Sequence, residues 1–156
     1  MADLSNLDKK LLDDVESYGW HVIKVMADEN GPGFGYSVGL FKTFGHPEII
    51  IIGLNLDLIH SIINGIGEDL RDGKVFRSGE FYSGLIEGYD CYFVTADVKY
   101  YLDYVGYDRW FYKSNDFPLL QCIYPTKANV YPWQKDWPEE ISHLQPILAE
   151  DGRTFP

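Results

Sequence analysis

Four consecutive isoleucines, Ile49 to Ile52, restrict the fold of this chain more than any other stretch. They lie in the run EIIIIGL, between Glu48 and Leu54, and no polar residue alternates with them. Four β-branched residues in a row are too few and too stiff at χ1 to favour a helix. A half-exposed strand would alternate apolar and polar residues, so the run predicts a strand that is buried on both faces.

The residues around this run predict helices and further strands in a mixed order. Leucines at helical spacing predict a first helix that ends at Gly19, and an apolar stripe predicts a second helix that is capped by Asn55 or Asp57. A third helix, interrupted near Gly106, is expected within residues 101–111. Strands are predicted at residues 20–27, 34–41, 48–54, 74–77, 80–85, 89–98 and 117–125.

This order of elements predicts an α+β fold. Three strands in succession, joined by short turns, indicate a mainly antiparallel sheet, and a barrel-like curl of that sheet is compatible with the pattern. We expect roughly six to seven strands with about three helices packed outside them. The 156 residues contain no internal repeat, low-complexity tract or linker, which predicts a single domain over residues 1–156.

The charge of the chain limits the kinds of partner it can bind. Its 24 acidic and 13 basic residues give a formal net charge of −11. Nucleic-acid binding requires clustered lysine and arginine, so we expect no nucleic-acid partner. An acidic surface favours a basic protein partner through charge complementarity, although the same charge also serves solubility alone.

The cysteines and the hydropathy of the sequence indicate the cellular compartment in which we expect the protein. Cys91 and Cys122 lie in apolar, strand-like contexts and predict two free thiols, although a disulfide between them stays open. The first residues do not show a cationic segment followed by an apolar run and a small-residue cleavage site, so we expect no secretory leader. The longest apolar run is far shorter than the roughly 20 residues of a membrane span. We therefore expect a cytoplasmic protein without membrane contact, metal site or cofactor.

Three short motifs in the sequence resemble sites of chemistry. His46 and Glu48 flank a proline and could move a proton, but no nucleophile, oxyanion donor or metal accompanies them, which favours a structural turn. The glycines of GPGFG precede a predicted strand instead of a helix and indicate a hairpin loop. Ser37 in GYSVG is predicted to lie inside a strand, unlike the nucleophile of a hydrolase. We expect no catalytic residue, and enzymatic activity stays open.

Aromatic residues are dense between positions 100 and 112 and include Tyr104 and Trp110. So many rings cannot all face one buried side of a helix. They could form an exposed stripe that binds a partner. The interpretation we favour is that the proline-rich tail, with Tyr131, Trp133 and Trp137, folds over them.

Several ordered motifs give the chain a resemblance to the bacterial family catalogued as domain of unknown function 4262. The matching residues are Tyr36, Val38, Gly39 and Leu40; His46, Pro47 and Glu48; Gln121 and Pro125; Pro132 and Trp133; and Gln145 and Pro146. The segment after Pro125 lacks the acidic residue that the family pattern implies. The family is uncharacterised, so the resemblance implies no activity. In the order of its elements the chain is also similar to flavin-binding split barrels.

Two hypotheses of function follow. The first is a non-catalytic inhibitor, such as an immunity protein that occludes a basic toxin, with Tyr104 and Trp110 among its aromatic anchors. The second is a small-molecule or flavin-binding domain, an oxidoreductase among the options, whose pocket is lined by Tyr36, His46, Glu48, Gln121 and Trp133. We favour the first because every catalytic template is incomplete. The oligomeric state is left open.

Overall fold

A six-stranded sheet forms the centre of the molecule in the computed structural model, which describes residues 4–156. Its strands are β1 (His21–Val25), β2 (Phe34–Val38), β3 (Glu48–Ile52), β4 (Phe81–Ile86), β5 (Tyr89–Thr95) and β6 (Leu119–Ile123). They lie in the order β1-β2-β3-β6-β5-β4. Strands β3 and β6 are parallel, and all the other neighbouring strands are antiparallel.

Helices cover both faces of this sheet. The α-helices of the described chain are α1 (Asn6–Tyr18), α2 (Leu40–Phe44), α3 (Leu56–Arg71), α4 (Tyr101–Tyr104) and α5 (Gly106–Tyr112), with short 3₁₀ segments at Val98–Tyr100 and Glu139–Ile141. Ser5 and Asp8 form a capping box at the start of α1. Asn55 caps α3 by accepting hydrogen bonds from the N–H groups of Asp57 and Leu58.

Helix α3 covers one face of the sheet. Ile49 and Ile51 of β3 pack there with the apolar stripe of the helix and with Trp20. Gly67 of α3 faces the Trp20 indole, because a Cβ atom at residue 67 would lie only 2.4 Å from the ring. The free and buried Cys91 and Cys122 lie on this same face.

The opposite face is covered by α1 and by the aromatic segment of α4 and α5. Ile50 and Ile52 point to this side and pack with Leu11 and Val15 of α1 and with Val105. All five residues of β3 are therefore buried, which confirms the interior strand that the isoleucine run predicts. Alternate residues of one strand supply two separate hydrophobic cores.

The C-terminal segment continues the second face over β5 and β6. Tyr92, Val94 and Ile123 pack there against Trp133 and Phe155. Most rings of residues 100–112 instead pack on the sheet beside α1, and Leu148 of the tail joins them there. Tyr131 and Trp133 lie with Phe81 over β4 and β5, so the expectation that these two rings cover residues 100–112 is wrong.

The α+β expectation is confirmed, but several of its details differ. Strands β1 and β4 form two open edges, so the sheet does not close into a barrel. The predicted strand at 34–41 ends at Val38, because Gly39 adopts φ 113° and is the N-cap of α2, which begins at Leu40. The predicted strand at 74–77 is irregular, and the third predicted helix is divided into α4 and α5 at Val105. Within residues 4–156, no helix is both long and apolar enough to cross a membrane.

Candidate functional site

The most elaborate polar site surrounds the buried carboxylate of Glu48, the first residue of β3. Its Oε1 accepts hydrogen bonds from Ser37 Oγ at 2.7 Å and from Leu40 N at 3.1 Å. Its Oε2 accepts from Gly39 N at 2.9 Å, from Phe41 N at 3.2 Å and from the Tyr112 hydroxyl. Five donors from three parts of the chain therefore converge on one carboxylate.

The turn between β2 and α2 creates this arrangement. The positive φ of Gly39 reverses the chain so that three successive backbone N–H groups point at Glu48. Glycine is also required by space, since a Cβ atom at residue 39 would lie 2.9 Å from the Gly19 carbonyl oxygen. The carboxylate thus satisfies the N–H groups that a helix start leaves without partners.

Burial raises the pKa of the Glu48 carboxyl, and the hydrogen bonds from Tyr112, Ser37, Gly39 and Phe41 oppose that rise. Backbone N–H groups can only donate, so the ionised form is the one that satisfies every neighbour. The carboxylate has no exposed surface. The geometry makes Glu48 a structural anchor that joins β2, α2, β3 and α5.

A second buried carboxyl, Asp108 on α5, is the polar residue that the sequence interpretation missed. Its side chain is fully buried, and neither of its oxygens has a hydrogen-bond partner within residues 4–156. Burial, followed by the nearby charge of Glu48, raises the pKa of Asp108 well above its usual range. The aspartate in GYDRWF looks like an ordinary exposed helix residue, so no sequence signal marks it.

Tyrosines line the region around these two carboxyls. The Tyr36 hydroxyl accepts a hydrogen bond from Tyr107 N at 3.0 Å, and the Tyr101 hydroxyl donates to the Phe117 carbonyl at 2.8 Å. Burial raises the pKa of Tyr101 to about 12, with the charge of Asp108 adding to the rise. These phenols stay protonated at neutral pH and act as fixed dipoles.

His46 lies apart from the Glu48 carboxylate although the two residues are close in sequence. Its Nδ1 lies 2.8 Å from the Pro47 carbonyl, and its Nε2 accepts a hydrogen bond from Phe76 N at 3.1 Å. Burial lowers the pKa of His46, so the ring is neutral near pH 7. The ring therefore joins the start of β3 to the segment that follows α3.

A cavity of about 520 Å³ opens beside this histidine. Phe44, Pro47 and Phe76 supply apolar walls, while Arg77 and Thr95 supply polar ones. This volume lies within the roughly 300–1,000 Å³ that is typical of small-molecule sites. His46 itself lines this cavity.

Gln121 on β6 fastens the C-terminal segment to the sheet. Its Nε2 donates to the Pro146 carbonyl at 2.7 Å, and its Oε1 accepts from Leu148 N at 2.8 Å. Gln145 makes a reciprocal pair of hydrogen bonds with the backbone of Tyr124. Both glutamines are buried, and their side-chain amides hydrogen-bond to backbone groups.

The remaining sequence-predicted residues lie in three different places. Trp133 stacks between Tyr131 and Phe155 on the tail, with ring centroids 4.9 and 5.1 Å away. Tyr104 packs edge-on against Phe34 beside the β1–β2 loop. Trp110 lies on the outer side of α5 and is 40% exposed. The structure therefore brings Tyr36 and Glu48 to one side of the sheet but does not assemble the five residues of the predicted pocket into one cavity.

A helix follows the serine motif GYSVG in the structure. Ser37 ends up two residues before the Gly39 turn and α2, which is closer to a strand–turn–helix than the sequence suggests. Its Oγ is nevertheless buried, donates to Glu48 and accepts from Ile49 N at 2.9 Å. Both nitrogens of His46 face backbone groups of other residues. Ser37 is therefore not placed as a nucleophile.

No three histidine, cysteine, aspartate or glutamate side chains in residues 4–156 are grouped so that they could hold a metal ion. Apart from Asp108, the buried polar side chains of this part of the chain each bond a backbone group. Together with the open mixed sheet, they define the protein as an α+β domain in which buried carboxyl, amide and imidazole groups fasten loops to the strands.

The family model described as Domain of unknown function (DUF4262) matches residues 14–138, which is most of the chain, and the protein belongs to this family. The match includes the Ser37, Glu48 and Asp108 positions. It ends before Gln145 and Pro146, which the sequence interpretation had added to the family pattern. No curated protein and no solved structure matches this chain.

Proposed function

We propose that this protein is a non-catalytic binding protein of the bacterial cytoplasm that inhibits a basic protein partner, as an immunity protein inhibits a toxin. The observation that carries the proposal is the state of its carboxylates. Among the described residues, Glu48 and Asp108 are the only buried acids. Only five of the described carboxylates are in ion pairs: Asp14, Asp57, Glu68, Asp69 and Asp151. Most acidic side chains in residues 4–156 therefore lie outside the core and form no ion pair.

The β4–β5 edge of the sheet offers the best location for such an interface. Phe81 on the edge strand β4 is 42% exposed and packs against Tyr131 and Trp133. Glu80 precedes it, and Asp90 lies on the paired strand β5, with both side chains exposed. We name these residues, Glu80, Phe81, Asp90, Tyr131 and Trp133, the hairpin face.

The hairpin face combines the two features of a tight interface with a basic protein. An aromatic anchor loses water on binding and supplies affinity, while the surrounding carboxylates supply specificity and faster association. Exposed acids of the tail, Asp136, Glu139 and Glu140, add to the same negative charge. Occlusion of a cationic active site requires no chemistry from the inhibitor, in agreement with the buried and fully bonded state of Ser37 and Glu48.

The first experiment is native mass spectrometry of the protein after gentle purification at low salt from its own cells. We expect a bound polypeptide of high isoelectric point that dissociates as salt is added. The variant Glu80→Gln/Phe81→Ala/Asp90→Asn should lose it. The matched control Glu29→Gln/Asp116→Asn changes the charge equally at two exposed positions outside the hairpin face and should keep it.

Recovery of the bare protein at low salt would argue against the proposal. A partner that is acidic, or one that is retained equally by both variants, would contradict the assignment to the hairpin face. Protection of cells that express the identified partner would then establish inhibition instead of mere binding.

A second candidate function, binding of a small molecule such as a flavin, is supported by the cavity beside His46. Its walls combine apolar rings with Arg77 and Thr95, which suits a ligand with an apolar body and an anionic group. We expect visible absorbance of the purified protein or a rise in Tm with flavin mononucleotide, lost in Arg77→Gln. A colourless protein whose Tm is unchanged by flavins and nucleotides would exclude this candidate.

A further inference from the structure

A groove on the α1, α2 and α5 side of the molecule has the opposite charge to the rest of the protein. Two cavities of about 580 and 380 Å³ adjoin there and share Trp110 and Lys113 as lining residues. The larger one is also lined by Lys42, and the smaller one by Arg109. We name this extended site, with Lys42, Arg109, Trp110, Phe111 and Lys113 as its principal residues, the cationic groove.

The cations of the groove are not neutralised by the protein itself. Lys42, Arg109 and Lys113 take part in no ion pair with another described residue, and no described carboxylate lines either cavity. Of the ten lysines and arginines outside the groove, five are paired with carboxylates in the described chain: Lys10, Lys24, Arg71, Lys74 and Lys99. In a chain with 24 acids and 13 bases, three unpaired cations along one groove are a local reversal of charge.

Apolar surface separates these cations. Trp110 is 40% exposed, and the Nζ atom of Lys42 lies 5.7 Å from the centre of the Phe111 ring. Phe41 and Leu12 complete the floor of the larger cavity. Tryptophan and arginine are the residue types that most often dominate the energy of protein interfaces.

From this arrangement we propose that the cationic groove binds an acidic peptide segment of a partner protein, one that carries an aromatic or leucine side chain between its carboxylates. Charge complementarity selects an anionic occupant. The extension over two adjoining cavities selects a segment with several carboxylates, because a single small acid would neutralise only one of the three cations. The apolar floor between the cations accommodates the apolar side chain.

The site is independent of the proposed function, since it lies on α5 and α2 instead of the β4–β5 edge and prefers acidic over basic sequences. Loss of one binding activity with retention of the other therefore identifies which proposal has failed. Two of the cations could instead serve the fold. Arg109 Nε donates to Asn115 Oδ1 at 2.8 Å, and Lys113 follows the end of α5 with φ 58°. That alternative predicts an effect on stability without an effect on binding.

The test uses a library of randomised short peptides, immobilised as an array and probed with the full-length protein. We expect the retained peptides to be enriched in aspartate and glutamate beside tryptophan, phenylalanine or leucine, and to be released by salt. In a matched peptide set, asparagine and glutamine replace the acids and should abolish retention. An array without retained peptides, or retained peptides without acidic enrichment, overturns the proposal.

A pair of charge variants assigns the binding to the groove. Lys42→Gln/Lys113→Gln should weaken the best acidic peptide by about tenfold or more, since two interfacial cations are lost. The control Lys127→Gln/Lys135→Gln removes the same charge from two exposed lysines outside the groove and should change affinity by less than about threefold. Equal weakening in both variants indicates non-specific attraction and overturns the proposal.

The indole N–H signal of Trp110 gives a readout that does not depend on affinity. It can be assigned in a heteronuclear spectrum by its loss in Trp110→Phe, and it should shift when the acidic peptide is added. The Tm of each variant reports any stability effect separately. A bound peptide that leaves the Trp110 signal unchanged shows that the peptide occupies another surface and overturns the assignment.

Discussion

Replacement of Glu48 by glutamine isolates the charge of the buried carboxylate at nearly constant volume. An amide offers one acceptor oxygen and one NH₂ donor in place of two acceptor oxygens. If the amide oxygen takes the Oε2 position, its NH₂ group meets Leu40 N–H, which donates to Glu48 at 3.1 Å in the parent protein. If it takes the Oε1 position, the donors from Gly39, Phe41 and Tyr112 lose their acceptor.

Either orientation leaves at least one buried donor unsatisfied and weakens the remaining bonds, because their acceptor is no longer charged. An unsatisfied buried donor costs about 1–3 kcal/mol, and a hydrogen bond to a charged group contributes about 1.5–3 kcal/mol. We therefore expect Glu48→Gln to lower the free energy of unfolding by about 2–4 kcal/mol at neutral pH. For a chain of this length that loss corresponds to a fall in Tm of roughly 5–15 °C.

Urea denaturation followed by tryptophan fluorescence measures the loss, and a constant m value shows that the unfolded state is comparable. Tyr112→Phe is the matched control, since it removes one donor and keeps the carboxylate, so its cost should be smaller than that of Glu48→Gln. A loss below about 1 kcal/mol in Glu48→Gln would refute the reasoning, because it would show that the carboxyl is already protonated in the folded protein.

Three further substitutions test other contacts. Asp108→Asn acts on pH dependence: the raised pKa means that the folded state retains a proton that the unfolded chain releases from about pH 4 upward, so stability falls as pH rises. The free energy of unfolding of the variant should lack this fall and should gain on that of the parent by up to about 1.4 kcal/mol per pH unit. Urea denaturation across pH measures the difference. An identical pH slope in both proteins would contradict a raised pKa of Asp108. Gly67→Ala should destabilise α3 by about 1–3 kcal/mol, because its Cβ would lie 2.4 Å from Trp20, whereas Gly65→Ala has open space and should raise Tm. Gln121→Leu removes two hydrogen bonds to the tail and should cost about 2–4 kcal/mol, with faster proteolysis of residues 144–156 as the diagnostic result.

The parts of the fold that sequence reasoning predicted are those set by local pattern. The helical stripes of α1 and α3 and the unbroken run of β3 follow from spacing and β-branching alone, as does the break near Gly106. The α2 helix is not visible in the sequence, because its five residues are too few to show a period and because a glycine with positive φ, and no capping side chain, precedes it. The open edges of the sheet were not visible because closure depends on the pairing of strands that are distant in sequence.

The candidate site shows the same division. His46, Glu48 and Gln121 stand out in the sequence as polar residues beside apolar strands, and the structure places all three in the interior as loop anchors. Their partners could not be predicted, since Phe76 lies 30 residues from His46 and Tyr112 lies 64 residues from Glu48. His46 and Glu48 are only two residues apart but bond different segments. His46 bonds the backbone of Phe76, whereas Glu48 bonds the backbone of residues 39–41.

The sequence by itself determined the α+β class, the interior strand Glu48–Ile52, the negative charge and membership of the family. These properties depend on local sequence pattern or on a sum over residues, so they can be predicted without knowledge of the tertiary contacts. Only the tertiary structure decided that Asp108 is buried without a hydrogen-bond partner in the described chain and that Lys42 and Lys113 flank one groove. Burial and proximity arise from packing between segments that are distant in sequence, and the pKa of a carboxyl and the charge of a groove depend on that packing.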